Sequence, residues 1–339
     1  MMLFRSPAEI PDDFGPTVVA IGKFDGVHAG HRAVIQKMLV DAAGLGARSA
    51  VVTFDRHPLA LLNPAKLPPS LVEPTQKAAL LATTGIDATL MLEFNEKLAS
   101  EEPEDFVRRV LVDALHARTV LIGEDFRFGR DGVGNAALLR ELGARYGFNV
   151  DELPDVRSAP SGRRVSSTWI RELLSSGDVA TAAKLLGRPP AVWGEVVHGA
   201  KRGRELGYPT ANLEAATQGL VPRDGVYAGW LIDGVAAAQP GTRVRYPAAI
   251  SVGDNPTFDD VHRRQVEAYV LDETELDLYG HMVEVQFVAR LRGMSAFDGI
   301  EALKDQMADD VVRAREILLN ATSGPDVFRP GVDSAPARD

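Results

Sequence analysis

At 339 residues, with 45% hydrophobic and 25% charged side chains, the chain has material for two globular cores. Aspartate and glutamate outnumber lysine and arginine 47 to 37, a net charge of −10 that argues against a general binder of nucleic acid or anionic membrane. There is no cysteine, which excludes disulfides and cysteine-ligated zinc. The opening residues lack the apolar core of a secretion signal and no run approaches a membrane span, so a cytoplasmic protein is expected.

Residues 18–21 (VVAI) form an apolar run suited to a buried strand. A glycine-punctuated turn follows at 22–26, then His28 and His31, three apart, at the start of a helical pattern. Its apolar stripe over 32–45 is Val34, Ile35, Met38, Leu39 and Ala42. A strand, a tight turn and a helix N-terminus make an anion site, because first-turn N–H groups have no partner inside the helix. Further strands are expected at 50–54, 88–94, 119–123 and 148–153, and helices at 75–84, 103–115 and 135–146, with a proline-rich loop over 63–74. This alternation predicts βαβ units: a parallel sheet with helices on both faces. Ligands of such sheets sit beyond the carboxyl ends of the strands, where three unusual loops, GKFDGVHAGH, DRHP and GEDFRFG, would share one crevice.

Ser166-Ser167-Thr168 precedes a helical stretch at 169–174, and 179–186 is a further helix. After a linker at 187–190 the pattern changes to short strands at 192–197, 225–232, 247–252, 265–271 and 282–288, and then one helix over 300–319. That order predicts a small β-barrel with a terminal helix. Residues 323–339 have little apolar pattern and read as a loose tail.

Each motif has a plain reading beside the chemical one. His28 and His31 lack the further ligands a zinc site needs; they are either surface histidines or imidazole donors at the phosphate cradle with Gly22, Gly26 and Gly30. Ser167 and Thr168 are either an N-cap or, with Arg171 one turn on, phosphate ligands. Phe126 and Phe128 suit a core as well as a site. Residues 199–213 (GAKRGRELGYPTANL) set three cations among glycines, either a solvated basic loop or one closing on phosphates. Thr210 and Asn212 lie two apart on an extended segment, so they point the same way, and both offer hard oxygen to Mg²⁺. Glu267, within an apolar strand, is either solvent-facing or a base, and periodicity does not choose.

GKFDGVHAGH carries the HxGH signature of nucleotidylyltransferases, and its fuller form resembles the bifunctional prokaryotic riboflavin kinase/FAD synthetase family. TFDRHP, GEDFRFG, SSTWIR, YPTAN, LYG and the last helix follow in the order of that family. The resemblance implies an N-terminal Rossmann-like nucleotidylyltransferase domain over 1–186 and a C-terminal antiparallel β-barrel kinase domain over 187–322. It implies that riboflavin is phosphorylated to FMN in the second domain and FMN is adenylylated to FAD in the first, with ATP and Mg²⁺.

By the same resemblance Gly22, Phe24, Asp25, His28, His31, Ser167, Thr168 and Arg171 bind the adenylyl-donating ATP, and His28, His31 and Arg171 are catalytic. Asp55, His57, Asp125 and Phe126 would meet the flavin. In the kinase half, Gly199, Lys201, Gly207, Pro209, Thr210 and Asn212 would bind ATP, with Thr210 and Asn212 on the metal. Glu267 would be the general base, and Arg292, Gln306, Met307 and Asp310 would meet flavin. Arg56, Asp254 and residues 294–296 depart from the family pattern without touching these positions.

Two other readings are another HxGH nucleotidylyltransferase, against which the second domain counts, and a flavin-binding module without turnover. The expected partners are small molecules, with no nucleic acid or membrane; the sequence leaves monomer and weak homo-oligomer open.

Overall fold

Six parallel strands form one sheet: β1 (Met2–Phe4), β2 (Thr17–Ile21), β3 (Arg48–Phe54), β4 (Ala88–Leu92), β5 (Ala117–Gly123) and β6 (Asn149–Leu153). Their order is β1-β4-β3-β2-β5-β6. The structure is a computed structural model that describes residues 1–158, 161–198, 208–235, 243–254, 264–273 and 276–322.

Helices fill the connections: α1 (Ala29–Leu45), α2 (Leu59–Leu62), α3 (Pro74–Ala82), α4 (Glu96–Ala99), α5 (Pro103–Phe106) and α6 (Ala136–Tyr146). The segment expected as one helix over 103–115 changes to a π-helical turn at Val107–Ala114. Strand β2 is buried along its whole length, as a strand covered on both faces must be. Its side chains alternate between two cores. Val18 and Ala20 join Ile35, Met38 and Leu81 on one face; Val19 and Ile21 join Phe106, Leu111 and Val120 on the other. The short edge strand β1 was not expected, since three residues show no usable periodicity; it pairs Met2–Phe4 with Ala88–Leu90 on β4. Strand β2 lies between β3 and β5, so the strand order reverses there. Such a switch point leaves a crevice at the carboxyl ends of the strands.

The second architecture contains α7 (Ser167–Ser176), α8 (Val179–Leu186) and six antiparallel strands. The strands are β7 (Ala191–Val197), β8 (Thr210–Leu213), β9 (Gly225–Asp233), β10 (Val244–Asp254), β11 (Arg264–Val270) and β12 (Met282–Arg292). They close into a barrel in the order β10-β11-β8-β7-β12-β9. Five were expected as strands; β8 is the sixth, and its four residues are too short and polar to stand out. Helix α9 (Ile300–Thr322) covers the outside of the barrel, packing Ala314 and Leu318 onto Val226, Ala228 and Trp230.

By contacts the chain divides into Met1–Ser167 and Thr168–Asp339. Helices α7 and α8 therefore associate with the barrel. The Arg223 N–H donates to the Leu174 carbonyl at 2.9 Å, and a Cβ on Gly177 would come within 2.7 Å of Arg290 Cδ.

Candidate active sites

The turn after β2 is the first site. Phe24, Gly26 and Val27 have positive φ values of 49°, 84° and 43°. Two of these are not glycine, so the surrounding packing holds backbone strain there. Phe24 is only 2% exposed, and its ring belongs to the core. Asp25 ties the turn to its neighbours: Oδ1 accepts from the Leu71 and Val72 N–H groups at 3.0 and 3.3 Å. The Asp25 carbonyl accepts from Ser167 Oγ at 2.9 Å.

His28 is the N-cap of α1, and its Nδ1 accepts from the His31 N–H at 3.4 Å. An Nδ1 that accepts puts the proton of the neutral ring on Nε2, which makes Nε2 a donor. The two imidazoles stack with centroids 3.7 Å apart, and His31 also meets Phe24 at 5.0 Å. Gly30 leaves room for this stack: a Cβ there would lie 3.1 Å from His28 Cε1 and Nδ1, and the ring would have to give by a few tenths of an ångström. Two imidazoles and a helix N-terminus thus converge at the switch point.

The other loops contribute less uniformly. Burial disfavours the Asp55 carboxylate, but hydrogen bonds from Arg56 and the Phe94 N–H, with the Arg56 charge, outweigh it and hold its pKa below the usual range. His57 Nδ1 accepts from the Leu59 N–H at 3.1 Å. Asp125 is exposed and ion-paired with Arg164, which lowers its pKa, and Arg164 also reaches Asp155 at 2.9 Å. Phe128 is core, whereas Phe126 is half-buried and stacks on it at 5.4 Å. Ser167 opens α7 at the Asp25 carbonyl; Thr168 and Arg171 continue that helix within the second unit.

Lys77 was missed by motif reasoning. It sits in α3, is 6% exposed, and donates to the Phe54 and Lys23 carbonyls at 2.7 and 3.1 Å. No motif marks it; the only sequence signal is a lysine on a helix that must bury a face.

The second site is assembled by barrel register. Glu267 on β11 lies opposite Asn212 on β8, and Tyr269 lies opposite Thr210. Tyr269 packs with the cluster under α9, so Glu267, two residues earlier, shares the outer face of the barrel. The fully buried Val266 and Ala268 face inward. Thr210 and Asn212 do point the same way: Asn212 Nδ2 donates to Thr210 Oγ1 at 3.3 Å. Gln265 Nε2 donates to Asn212 Oδ1 at 3.3 Å, a neighbour that sequence reasoning did not name. Pro209 precedes β8, and Gly199, Lys201 and Gly207 lie outside the described residues. Among the described residues, no group of three His, Cys, Asp or Glu could hold a metal. The oxygens of Thr210 and Asn212 are neutral and hard, which suits Mg²⁺ that shares its shell with phosphate.

At the start of α9, Arg292, Gln306 and Asp310 form one network. Arg292 Nε and Nη2 donate to Asp310 Oδ2 at 2.9 and 2.8 Å, and Gln306 Nε2 donates to Oδ1 at 3.2 Å. Asp310 is 3% exposed, so its carboxylate is spent on fixing Arg292 and Gln306. Met307 is half-buried one turn before Val311.

A strained turn at a helix N-terminus on the parallel sheet and a face joining Thr210, Asn212 and Glu267 on the barrel are two separate candidate sites, and the family comparisons make the chain a transferase. A family model described as FAD synthetase matches residues 10–169, and one described as riboflavin kinase matches 186–318. A bifunctional riboflavin kinase/FMN adenylyltransferase from Pseudomonas fluorescens is 36% identical over 318 residues, 94% of this chain and 98% of that protein. The protein of the same description from Escherichia coli K12 is 35% identical, covering 89% of this chain and 92% of its own length. A crystal structure titled as a macrolide-efflux protein from Streptococcus pneumoniae is 31% identical with a TM-score of 0.81, covering 93% of this chain and 98% of that one. The chain belongs to the bifunctional riboflavin kinase/FMN adenylyltransferase family, with the adenylyltransferase at its N-terminus and the kinase at its C-terminus. It converts riboflavin to FMN and FMN to FAD. None of the described helices is long and apolar enough to cross a membrane.

Proposed function

We propose that FMN is adenylylated at the turn after β2 and riboflavin is phosphorylated on the outer face of the barrel, with ATP as donor at both. In the first reaction an FMN phosphate oxygen attacks the α-phosphorus of ATP, and pyrophosphate leaves. The protein contributes position and charge stabilisation: the α1 N-terminus, His28 Nε2–H and His31 face the developing charge, with Ser167, Thr168 and Arg171 on the triphosphate. Asp55, His57, Asp125 and Phe126 line the flavin end. In the second reaction Glu267 accepts the proton of the riboflavin 5′-hydroxyl, whose oxygen takes the γ-phosphoryl group, and ADP leaves. Thr210 and Asn212 would hold Mg²⁺, which neutralises phosphate charge. Pro209, Gly199, Lys201 and Gly207 complete that ATP site, and Arg292, Gln306, Met307 and Asp310 the flavin side.

The observation that carries the reading is that each matched region holds a close pair of its own motif residues. His28 and His31 are in ring contact at the α1 N-terminus, and Glu267 stands opposite Asn212. The match edges at 169 and 186 favour working domains of 1–186 and 187–322, although contacts group α7 and α8 with the barrel; 323–339, expected as a tail, lie outside the described residues. The net charge of −10 favours small-molecule substrates over nucleic acid or membrane, for a cytoplasmic monomer or weak homo-oligomer.

The test is to incubate the protein with riboflavin and ATP, with and without Mg²⁺, and separate the flavins. FMN should form first, FAD should follow, and neither should form without the metal. FMN formation at an undiminished rate in a chelator would remove the metal assignment.

A further inference from the structure

We propose that Lys77 is a positioning residue for FMN adenylylation: its buried ammonium ties the turn after β2 to the end of β3 and so holds His28 in place. The inference rests on the reading that this turn holds the nucleotide phosphates. Lys77 Nζ donates to the Phe54 carbonyl at 2.7 Å and to the Lys23 carbonyl at 3.1 Å. Phe54 ends β3, and Lys23 is the second residue of the turn that leads to His28. The Lys23 carbonyl also accepts from Thr53 Oγ1 at 3.0 Å, so β3 and α3 grip the same peptide group.

Asp25 closes the circuit. Its carboxylate accepts from the Leu71 and Val72 N–H groups, just before α3, the helix that carries Lys77. The turn is thus held from two sides by one stretch of chain, and it needs holding because Phe24 and Val27 have positive φ values.

A neutral side chain of this length would fill the space but would donate to neither the Phe54 nor the Lys23 carbonyl, of which the latter keeps the Thr53 hydroxyl. The ammonium supplies several donors at once. Burial pushes its pKa down, against the pull of Asp25, Asp55 and Glu73, the charged groups around it. Three carboxylates from three separate segments explain how a lysine is tolerated at 6% exposure. A lysine whose only task was to cover surface would not place its ammonium on the carbonyls of two ligand-bearing loops.

The experiment uses the full chain with Lys77→Met, Lys77→Gln and His28→Ala, assaying both reactions in each preparation and recording thermal melts. Lys77→Met should lower kcat for FMN adenylylation ~10-fold or more and leave KM for FMN within about two-fold, because a misplaced transition-state contact is lost while flavin binding is kept. Lys77→Gln, which keeps an amide donor without charge, should fall between Met and wild type. Riboflavin phosphorylation should be unchanged in both.

Wild-type FMN turnover in Lys77→Met, with His28→Ala impaired, overturns the inference and leaves the site reading standing. Wild-type turnover in His28→Ala removes the site reading and the inference with it. If Lys77→Met does not melt cooperatively, Lys77→Gln decides: wild-type kcat in that variant overturns the inference. Equal turnover in folded Met and Gln variants, parallel loss of both reactions, or absence of a cooperative melt in both variants also overturns it.

Discussion

The sheet and the barrel present their chemistry in opposite ways. In the sheet, the candidate residues hang from turns at the carboxyl ends of β2, β3 and β5, and the main group, Gly22 to His31, is one continuous run of sequence. In the barrel they lie along strands, and the face that joins Thr210 and Asn212 to Glu267 exists only because β8 and β11 pair in one register. A turn specifies its own geometry through glycines and short-range bonds. A strand face is specified by its partner, so a one-residue slip would send Glu267 to the barrel interior. The two sites should therefore fail differently when damaged.

The sharpest way to break the comparison is to remove one proposed catalytic group at a time. Glu267→Gln should cut riboflavin phosphorylation ~10²–10⁴-fold and leave FMN-to-FAD conversion within about two-fold, since only a general base is lost. His28→Ala should do the reverse, with FMN adenylylation down ~10²–10³-fold. Chromatographic assay of each half-reaction checks both; loss of both reactions in a folded single variant would sink the two-site division.

Next in size is Arg292→Met. It strands the Asp310 carboxylate, which is 3% exposed, and should destabilise the barrel by about 3–5 kcal/mol in urea titration. A change no larger than that of an exposed ion pair would mean that the network is ornamental.

Gly30→Ala tests the turn. The added Cβ would meet His28 at 3.1 Å, so the ring must shift, and FMN adenylylation should drop ~10-fold with riboflavin phosphorylation untouched.

The smallest effect expected is from Asp55→Asn. The folded-state pKa of Asp55 is lowered: burial opposes ionisation, and the Arg56 and Phe94 hydrogen bonds overcome it. A depressed carboxylate stabilises the fold above its unfolded pKa, and that contribution is lost as pH falls through the folded value. The variant should therefore melt about 1–2 °C lower at neutral pH, with the difference vanishing below the ordinary carboxylate range. A difference that persists in acid would assign the loss to shape and not to charge.

Much of the sheet was legible in the sequence because its signals are local. Apolar runs such as 18–21 read as buried strands, and the glycine-rich turn with His28 and His31 read as an anion site at a helix N-terminus. The resemblance to a two-activity family rested on motifs of the same contiguous kind. Five barrel strands were also visible by their turns, while β1 and β8 were too short to show a period. The side on which Glu267 lies was undecidable from periodicity, since both faces of β11 carry partners. Pairing with β8, and the packing of Tyr269 under α9, turned it to the outer face.

Lys77 is the strongest instance of what sequence withholds. A lysine in a helix reads as a solvated charge, and nothing nearby contradicts that. Its burial follows from where α3 lands against β2 and β3, and its donors meet carbonyls 23 and 54 residues away along the chain. The chain alone determined the two architectures, the order of motifs and the glycine-rich turn before α1, because each depends on neighbours in sequence. Folding decided which charges are buried, which carbonyls they hold and which residues share a face, because those depend on distances that close only when distant segments meet.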